Sequence, residues 1–163
     1  MLVGLIPSTI FICGVQMIAQ NLKVVLATTF HLYLKAHKFH WNVVGNDFAQ
    51  QHEFLGNLWE ELFSAVDPVA EIIRTRGELA PGSFQEFLEL SALEDDVTDV
   101  TIGEAMFQSL ESDNKIILQV LQDAYQVSES EMSFDISNFI AERITAHRKH
   151  GWMLASFLNK QAM

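Results

Sequence analysis

The stretch Leu32–Leu55, LYLKAHKFHWNVVGNDFAQQHEFL, contains the end of one apolar helical pattern, a tight turn and the start of a second pattern. Upstream of the turn, apolar residues recur every three or four positions, which predicts an amphipathic helix over Ile18–Val44. Gly45 suits the position after a helix, and Asp47 suits the N-cap of a second helix, Phe48 to about Arg76. The stretch therefore predicts a helical hairpin.

The sequence beyond this hairpin predicts one short and two long helices. Ser/Thr-x-x-Glu pairs, which are typical of capping boxes, mark the start of two of them: Ser83 with Glu86, and Thr101 with Glu104. The three helices are predicted over Phe84–Leu90, from Thr101 to about Gln126, and from about Ser133 to Asn159. Strand-like alternation and internal repeats are absent from the sequence.

Four long helices and one short helix predict an all-α, ferritin-like four-helix bundle. The link between Gly77 and Ile102 is too long to join adjacent antiparallel helices. It therefore indicates one long crossover between the second and third long helices, and the short helix lies within it. Such a connection is typical of ferritin-like bundles.

Length and composition restrict the class of protein. The chain has 163 residues, of which 49% are apolar and 19% are charged, so it can form one domain with a substantial core. A single cysteine, Cys13, excludes a disulfide framework and a cysteine-rich zinc module. The formal charge of −11 disfavours contact with phosphate backbones and favours the binding of cations.

The first nineteen residues are uncharged and mostly apolar, and their length approaches that of a membrane span. They lack the basic region that begins a secretory signal, and Pro7 and Gly14 disfavour a continuous helix. Because the helical pattern begins at Met17, we expect residues 1–16 to be a disordered or spurious extension and residues 17–163 to form the domain. A packed segment and a weak membrane signal are the alternatives, and we expect no membrane association.

Two pairs of metal-ligating residue types occur at informative spacings. Asp67 and Glu71 are four residues apart, so their carboxylates share one helix face and repel each other unless solvent or a cation separates them. His40 and His52 flank the turn of the hairpin, at positions that approach each other across two antiparallel helices. Imidazoles and carboxylates both bind first-row transition metals. A solvated acidic face and a hydrogen-bonded histidine pair remain as alternatives.

The distance between these pairs indicates how they could form one site. His52 and Asp67 are 15 residues apart on the second helix, or roughly 22 Å along its axis, so one chain cannot bring both to a single metal ion. Two antiparallel copies related by a two-fold axis could join the histidines of one copy to the carboxylates of the other. The sequence contains no Glu-x-x-His motif, which disfavours a di-iron site inside one bundle.

Four segments carry a resemblance to a known family. The chain resembles the starvation-inducible DNA-protection (Dps) family of miniferritins over about Leu22–Leu158, and the spacing from His-Trp-Asn to Asp-x-x-x-Glu is its most specific feature. The similar segments are Leu32–Leu55, DPVAEIIRTRG at Asp67–Gly77, SFQEFLEL at Ser83–Leu90, and AERITAHRKHGWMLASFL at Ala141–Leu158.

The resemblance implies a cytoplasmic homo-oligomer, a hollow dodecamer that protects against oxidative stress. Such proteins oxidise Fe(II), preferably with hydrogen peroxide, and store the ferric mineral inside. The resemblance places the ferroxidase centre at the two-fold interface, with Trp41 beside it. By position, the implied iron ligands are His40, His52, Asp67 and Glu71.

The chain departs from the family pattern at two places. Gly56 stands where the family usually has an aspartate, four residues after the second histidine, so we expect a weakened second iron position. The lysine-rich tail that family members often use to bind DNA is also missing, and the negative charge disfavours direct DNA binding. Glu131 and Asp135, near the start of the last helix, are candidates for a negative pore through which iron enters, or for acids that stabilise the helix N-terminus.

Three alternative functions remain at this stage. A structural cage or nucleoid-associated protein with an impaired centre would fit Gly56. A membrane-anchored helical protein would fit only the apolar N-terminal residues. A helical interaction module without metal would leave His40 and His52 as packed side chains, but the acidic charge and the four-residue ligand set argue against it.

Overall fold

The structure is a computed structural model that describes residues 8–95 and 101–159, with side chains described from Met17 onward. Within these residues it contains five helices, α1 (Ser8–Asn42), α2 (Phe48–Thr75), α3 (Phe84–Leu90), α4 (Gly103–Ser130) and α5 (Phe134–Phe157). The only β-type pairing in the described part of the chain is a single bridge between Val44 and Ile102. The predicted all-α fold is confirmed.

The four long helices enclose one apolar core. α1 packs against α2 and α4, and α4 packs against α5. Every long helix contributes fully buried side chains, among them Phe39, Leu55, Leu62, Phe107, Ile117 and Ile140. These residues belong to the three-and-four periodicity of the sequence, so local patterning and burial agree.

The crossover contains the short helix in the predicted place. The Ser83 side chain accepts a hydrogen bond from the Glu86 amide, and the Glu86 carboxylate accepts one from the Ser83 amide, so the predicted capping box is present. The ring of Phe87 stacks on that of Phe30 in α1, with centroids 4.5 Å apart. The Ala92 amide also donates to the Thr28 hydroxyl. These contacts attach the crossover to α1.

The second predicted capping box is wrong. The N-cap of α4 is Ile102, with no side-chain cap, and not Thr101. The physical reason lies in the hairpin turn, because the Val44 amide donates to the Thr101 carbonyl and Val44 pairs with Ile102. This pairing holds Ile102 extended and delays the helix start to Gly103. α4 also continues to Ser130, past the predicted end near Gln126.

The ends of α1 also differ in detail from the prediction. α1 ends at Asn42 and begins at Ser8, so it crosses the predicted boundary between residues 16 and 17 without a break. Residues 1–7, and residues 96–100 of the crossover, lie outside the described part of the chain. The division into an extension and a domain therefore stays a prediction. In the described helices, no segment is long and apolar enough to cross a membrane.

Candidate metal centre

His40 and His52 face each other across the hairpin of α1 and α2. A turn at Gly45, whose φ of +137° suits glycine, brings the two helices together. The imidazole rings stack with their centroids 3.8 Å apart and their planes at 22°. Each ring also makes a hydrogen bond to the other residue's backbone, His40 Nδ1 to the His52 carbonyl and His52 Nδ1 to the His40 carbonyl, both at 2.9 Å. The predicted approach of the two histidines is therefore present.

These two hydrogen bonds determine which nitrogen of each ring can bind a metal. A carbonyl oxygen only accepts hydrogen bonds, so each Nδ1 must carry a proton and donate it. In the neutral imidazole the other nitrogen, Nε2, then has a free lone pair. Metal-binding histidines commonly donate the second nitrogen to a carbonyl in this way. Each ring therefore leaves its Nε2 atom available as a candidate metal ligand.

Aromatic rings surround the histidine pair. Phe48 stacks on His52 at a centroid distance of 5.0 Å, and Trp59 meets His40 edge-on at 6.4 Å. Trp41 contacts His37 at 4.1 Å, and His37 in turn lies parallel to Trp59 at 4.1 Å. Within this chain, Trp41 is next to His37 and is 63% exposed. Its predicted place beside the centre stays a prediction, because the exposed ring would face a second copy.

Gly56 lies directly against the His40 ring. A Cβ atom added to Gly56 would be 3.3 Å from His40 Cε1 and 3.5 Å from Nδ1. The first distance is tighter than ordinary carbon contacts, so a side chain at this position would require the imidazole to shift by a few tenths of an ångström. The departure from the family pattern at Gly56 therefore lies directly beside the His40 ring.

Asp67 and Glu71 lie one turn apart on α2, and both are exposed. In the described residues, neither carboxylate has a hydrogen bond or an ion pair. The same part of the chain contains no group of three or more His, Cys, Asp or Glu that could hold a metal ion. The structure therefore brings the two histidines together and leaves the two carboxylates apart from them. A centre that joins both pairs needs a second copy, and it stays a prediction.

The two candidate pore residues lie at the turn between α4 and α5. Asp135 is in the first turn of α5 and forms an ion pair with Arg76, with Nη2 and Oδ2 2.6 Å apart. Glu131 is the C-cap of α4. Burial raises the pKa of Glu131, although a hydrogen bond from the backbone of Ile18 and the charge of Arg76 act in the opposite direction. The role of both residues in a pore stays a prediction.

A buried and half-buried polar cluster joins α2, α4 and α5 and was not predicted from the sequence. Arg143 of α5 binds both carboxylate oxygens of Glu61 in α2, and His150 Nε2 lies 3.3 Å from the same carboxylate. His147 is buried beside it and exchanges two hydrogen bonds with Asn114 of α4. We call Glu61, Asn114, Arg143, His147 and His150 the interior polar cluster.

Burial and charge set the protonation of this cluster. Burial lowers the pKa of His150 to about 4, against the opposing effect of Glu61. Burial also lowers the pKa of His147 well below 6.5. Burial disfavours the ionised form of Glu61, but the hydrogen bonds and charge of Arg143 hold its pKa below 4.5. The spacing of Arg143, His147 and His150, at i, i+4 and i+7, places them on one face of α5 and could have indicated the cluster.

The chain is similar to several known proteins. The ferritin family, a ferritin-like domain, matches residues 19–163. The chain is 32% identical over 149 residues to the DNA protection during starvation protein of Brevibacillus brevis, with 88% of this chain and 95% of that protein covered. It is 30% identical over 129 residues to DNA protection during starvation protein 2 of Bacillus anthracis, with 79% and 88% covered.

A solved structure shows the same similarity in three dimensions. The Dps protein of Vibrio cholerae O1 is described as a member of a broad superfamily of ferritin-like diiron-carboxylate proteins. It superimposes with a TM-score of 0.86 at 25% sequence identity, and the alignment covers 90% of this chain and 91% of that one. The four-helix bundle and its long crossover are therefore shared.

Proposed function

Because the chain belongs to the Dps family of ferritin-like proteins, as its sequence motifs predicted, we propose that it oxidises Fe(II) with hydrogen peroxide at a centre shared by two copies. The ferric product is stored inside a hollow homo-oligomer, a dodecamer by family resemblance. Fe(II) and peroxide are substrates of this reaction, and their removal together protects the cell from hydroxyl-radical chemistry.

The reciprocal hydrogen bonds of His40 and His52 are the observation that carries this proposal. They leave both Nε2 lone pairs free for a metal ion, as described above. The unpaired carboxylates of Asp67 and Glu71 supply the negative charge that stabilises Fe(III) over Fe(II). In an antiparallel pair of α2 helices, the histidines of one copy lie opposite the carboxylates of the other. Each dimer then contains two equivalent centres.

The chemistry is a two-electron reduction of peroxide. Two Fe(II) ions each lose one electron, and hydrogen peroxide takes up both electrons and two protons and leaves as two water molecules. Asp67 and Glu71 bind the incoming Fe(II), and their charge favours the loss of its electron. His40 and His52 complete the coordination from the other copy. The hydrogen bonds fix the orientation of both rings before an ion binds.

Removal of the two carboxylates tests the assignment. In Asp67→Ala/Glu71→Ala, we expect rapid peroxide-driven Fe(II) oxidation, followed by absorbance in a stopped-flow instrument, to fall to the rate of Fe(II) in buffer. Light scattering should show an intact oligomer, since both side chains are exposed. His40→Ala or His52→Ala should slow oxidation less, because the carboxylates remain. The matched control, Glu104→Ala/Glu142→Ala, removes the same charge from α4 and α5 and should oxidise Fe(II) normally.

Wild-type oxidation kinetics in the double variant would place the chemistry elsewhere. A second candidate function, a structural cage with an impaired centre, is favoured by Gly56, which removes one expected carboxylate. If the protein is such a cage, the wild type forms an intact oligomer, but Fe(II) is oxidised no faster in its presence than in buffer alone.

A further inference from the structure

Trp59 lies at the level of the two-fold axis in the proposed dimer. It is seven residues after His52 and eight residues before Asp67 on α2. If His52 of each copy lies opposite Asp67 of the other, the two-fold axis crosses α2 halfway between them, which is at the level of residues 59 and 60. The two Trp59 rings of a dimer therefore lie at the same height, midway between its two centres.

The contacts of Trp59 connect this midpoint to the histidine end of the centre. Its indole lies parallel to the His37 ring, at 4.1 Å and 12°, and meets His40 edge-on at 6.4 Å. It also contacts Tyr33 at a centroid distance of 6.2 Å. Its Nε1 atom is buried and has no hydrogen-bond partner in the described residues. The N–H group of a buried tryptophan usually finds a hydrogen-bond partner. Apolar burial alone therefore does not explain why this position is a tryptophan.

Because Gly56 provides no carboxylate, each centre lacks a second electron donor for peroxide, and Trp59 can supply that electron. Without the usual carboxylate beside His40, each centre holds one strongly bound Fe(II), which supplies one electron. Hydrogen peroxide requires two electrons to become two water molecules, and a single electron would release a hydroxyl radical. The two centres of one dimer together hold the two Fe(II) ions that complete the reduction. An oxidisable ring between them would let the distant Fe(II) supply the second electron.

We propose that Trp59 is an electron-relay residue that couples the two centres of a dimer across the two-fold axis. The inference rests on the ferroxidase function proposed above. Fe(II) at the peroxide-bound centre gives one electron, and Trp59 beside His40 gives the second. Peroxide takes up two protons, its O–O bond breaks, and two water molecules leave. The oxidised indole then regains its electron from the Fe(II) of the other centre through the second Trp59. Two Fe(II) thereby become two Fe(III) for each peroxide.

Substitutions of Trp59 test the relay by the stoichiometry of the reaction. The oligomer is loaded anaerobically with one Fe(II) per subunit, and hydrogen peroxide is added at one molecule per two subunits. Fe(III) is measured by absorbance, and hydroxyl radical by spin trapping. Wild-type protein should oxidise two Fe(II) per peroxide without a hydroxyl adduct. Trp59→Phe keeps an aromatic ring that is hard to oxidise, and it should oxidise one Fe(II) per peroxide and release the radical.

Two further variants separate electron transfer from packing. Trp59→Tyr changes the packing but keeps an oxidisable ring, so it should restore two Fe(II) per peroxide. Trp152→Phe alters an exposed tryptophan of α5 that is not among the aromatic rings around His40, and it should behave as wild type. Two Fe(II) per peroxide in Trp59→Phe would overturn the relay, as would one Fe(II) per peroxide with radical release in the wild type. Rapid oxidation of two Fe(II) per peroxide in Trp59→Phe would leave the ferroxidase proposal standing, whereas radical release by the wild type would also contradict its two-electron chemistry. The ferroxidase proposal fails if the wild type does not oxidise Fe(II) faster than buffer, or if Asp67→Ala/Glu71→Ala oxidises it at the wild-type rate.

Discussion

At the scale of single residues, His40 is held by contacts with His52 and adjoins a residue without a side chain. Its Nδ1 is held by the His52 carbonyl, and its ring is covered by the His52 ring on one side. Gly56 adjoins the same ring and contributes no side chain. The histidine is therefore fixed by contacts with His52, while glycine stands beside it where the family usually has an aspartate. This combination explains why we expect one strong and one weak iron position in each centre.

We predict that Gly56→Asp strengthens the second iron position. The added carboxylate would stand beside His40, and anaerobic titration should then show two tightly bound Fe(II) per subunit in place of one. Helix propensity alone would stabilise the fold by about 0.3–0.5 kcal/mol. The 3.3 Å contact with His40 opposes this gain, so the free energy of unfolding should change by less than about 0.5 kcal/mol. Gly56→Asn is the uncharged control, and equal Fe(II) binding in both variants would contradict the prediction.

At the scale of elements, α5 is attached to its neighbours through the interior polar cluster as well as through apolar packing. Arg143 and His150 both contact Glu61 of α2, and His147 is joined to Asn114 of α4. Glu61 is partly exposed, but removal of either partner of its bidentate pair with Arg143 leaves a partly buried charge uncompensated, which is costly. The cluster therefore fixes the position of α5, and the two neutral histidines make that position sensitive to acid.

We predict that the fold loses stability as the pH falls from about 6.5 to about 4. In this range His150 stays neutral in the folded state, since its pKa is about 4, but takes up a proton in the unfolded state. The unfolded state then binds more protons than the folded state. The free energy of unfolding therefore decreases as the pH decreases, and His150 contributes up to roughly 3 kcal/mol of this loss. Urea unfolding of His150→Gln between these pH values should show a weaker dependence, with the remainder due to the other histidines whose pKa burial lowers, His31, His37 and His147. An unchanged slope would contradict the assignment.

At the scale of the whole molecule, the surface combines exposed apolar side chains with a strong negative charge. Several large apolar residues are at least 40% exposed, among them Trp41, Phe48, Phe63, Phe84, Leu88 and Trp152. Such residues on an otherwise polar surface are typical of interfaces between subunits. Phe63 is on α2, between Trp59 and Asp67, at the expected two-fold interface. We therefore expect assembly and iron oxidation to depend on the same face of α2.

We predict that Phe63→Lys prevents both assembly and iron oxidation. Two lysines would be buried near the two-fold axis without partners, which opposes dimer formation. Light scattering should show a smaller species with normal helix content by circular dichroism, and rapid Fe(II) oxidation should be lost because the shared centre cannot form. Gln126→Lys, which adds the same charge at an exposed position of α4, serves as the control. A full-sized oligomer in Phe63→Lys would show that the interface lies elsewhere.

The net charge predicts weak contact with DNA. With a formal charge of −11 per chain, we expect no retardation of duplex DNA in gels at physiological salt. Retardation seen at about 50 mM salt should disappear by about 200 mM, because such binding would be purely electrostatic. Tight binding that resists salt would be the contrary result.

Features that depend on neighbouring residues could be predicted from the amino-acid sequence. The three-and-four periodicity placed the four long helices, and the Ser83–Glu86 pair placed α3, because a helix and its cap are formed by residues within one turn of each other. The length of the crossover predicted the bundle topology. The 15-residue interval between His52 and Asp67 excluded a site within one chain, because a helix has a fixed rise per residue.

Features that depend on contacts between distant residues became visible only in the folded chain. Thr101 has the local pattern of a cap, but pairing with Val44 across the bundle end moved the helix start to Gly103. The ion pair of Glu61 with Arg143 and the contact of Gly56 with His40 join different helices, so no local pattern specifies them. The protonated nitrogen of each histidine follows from which backbone carbonyl faces it after packing. Packing thus selected among side-chain arrangements that the sequence pattern leaves equally possible.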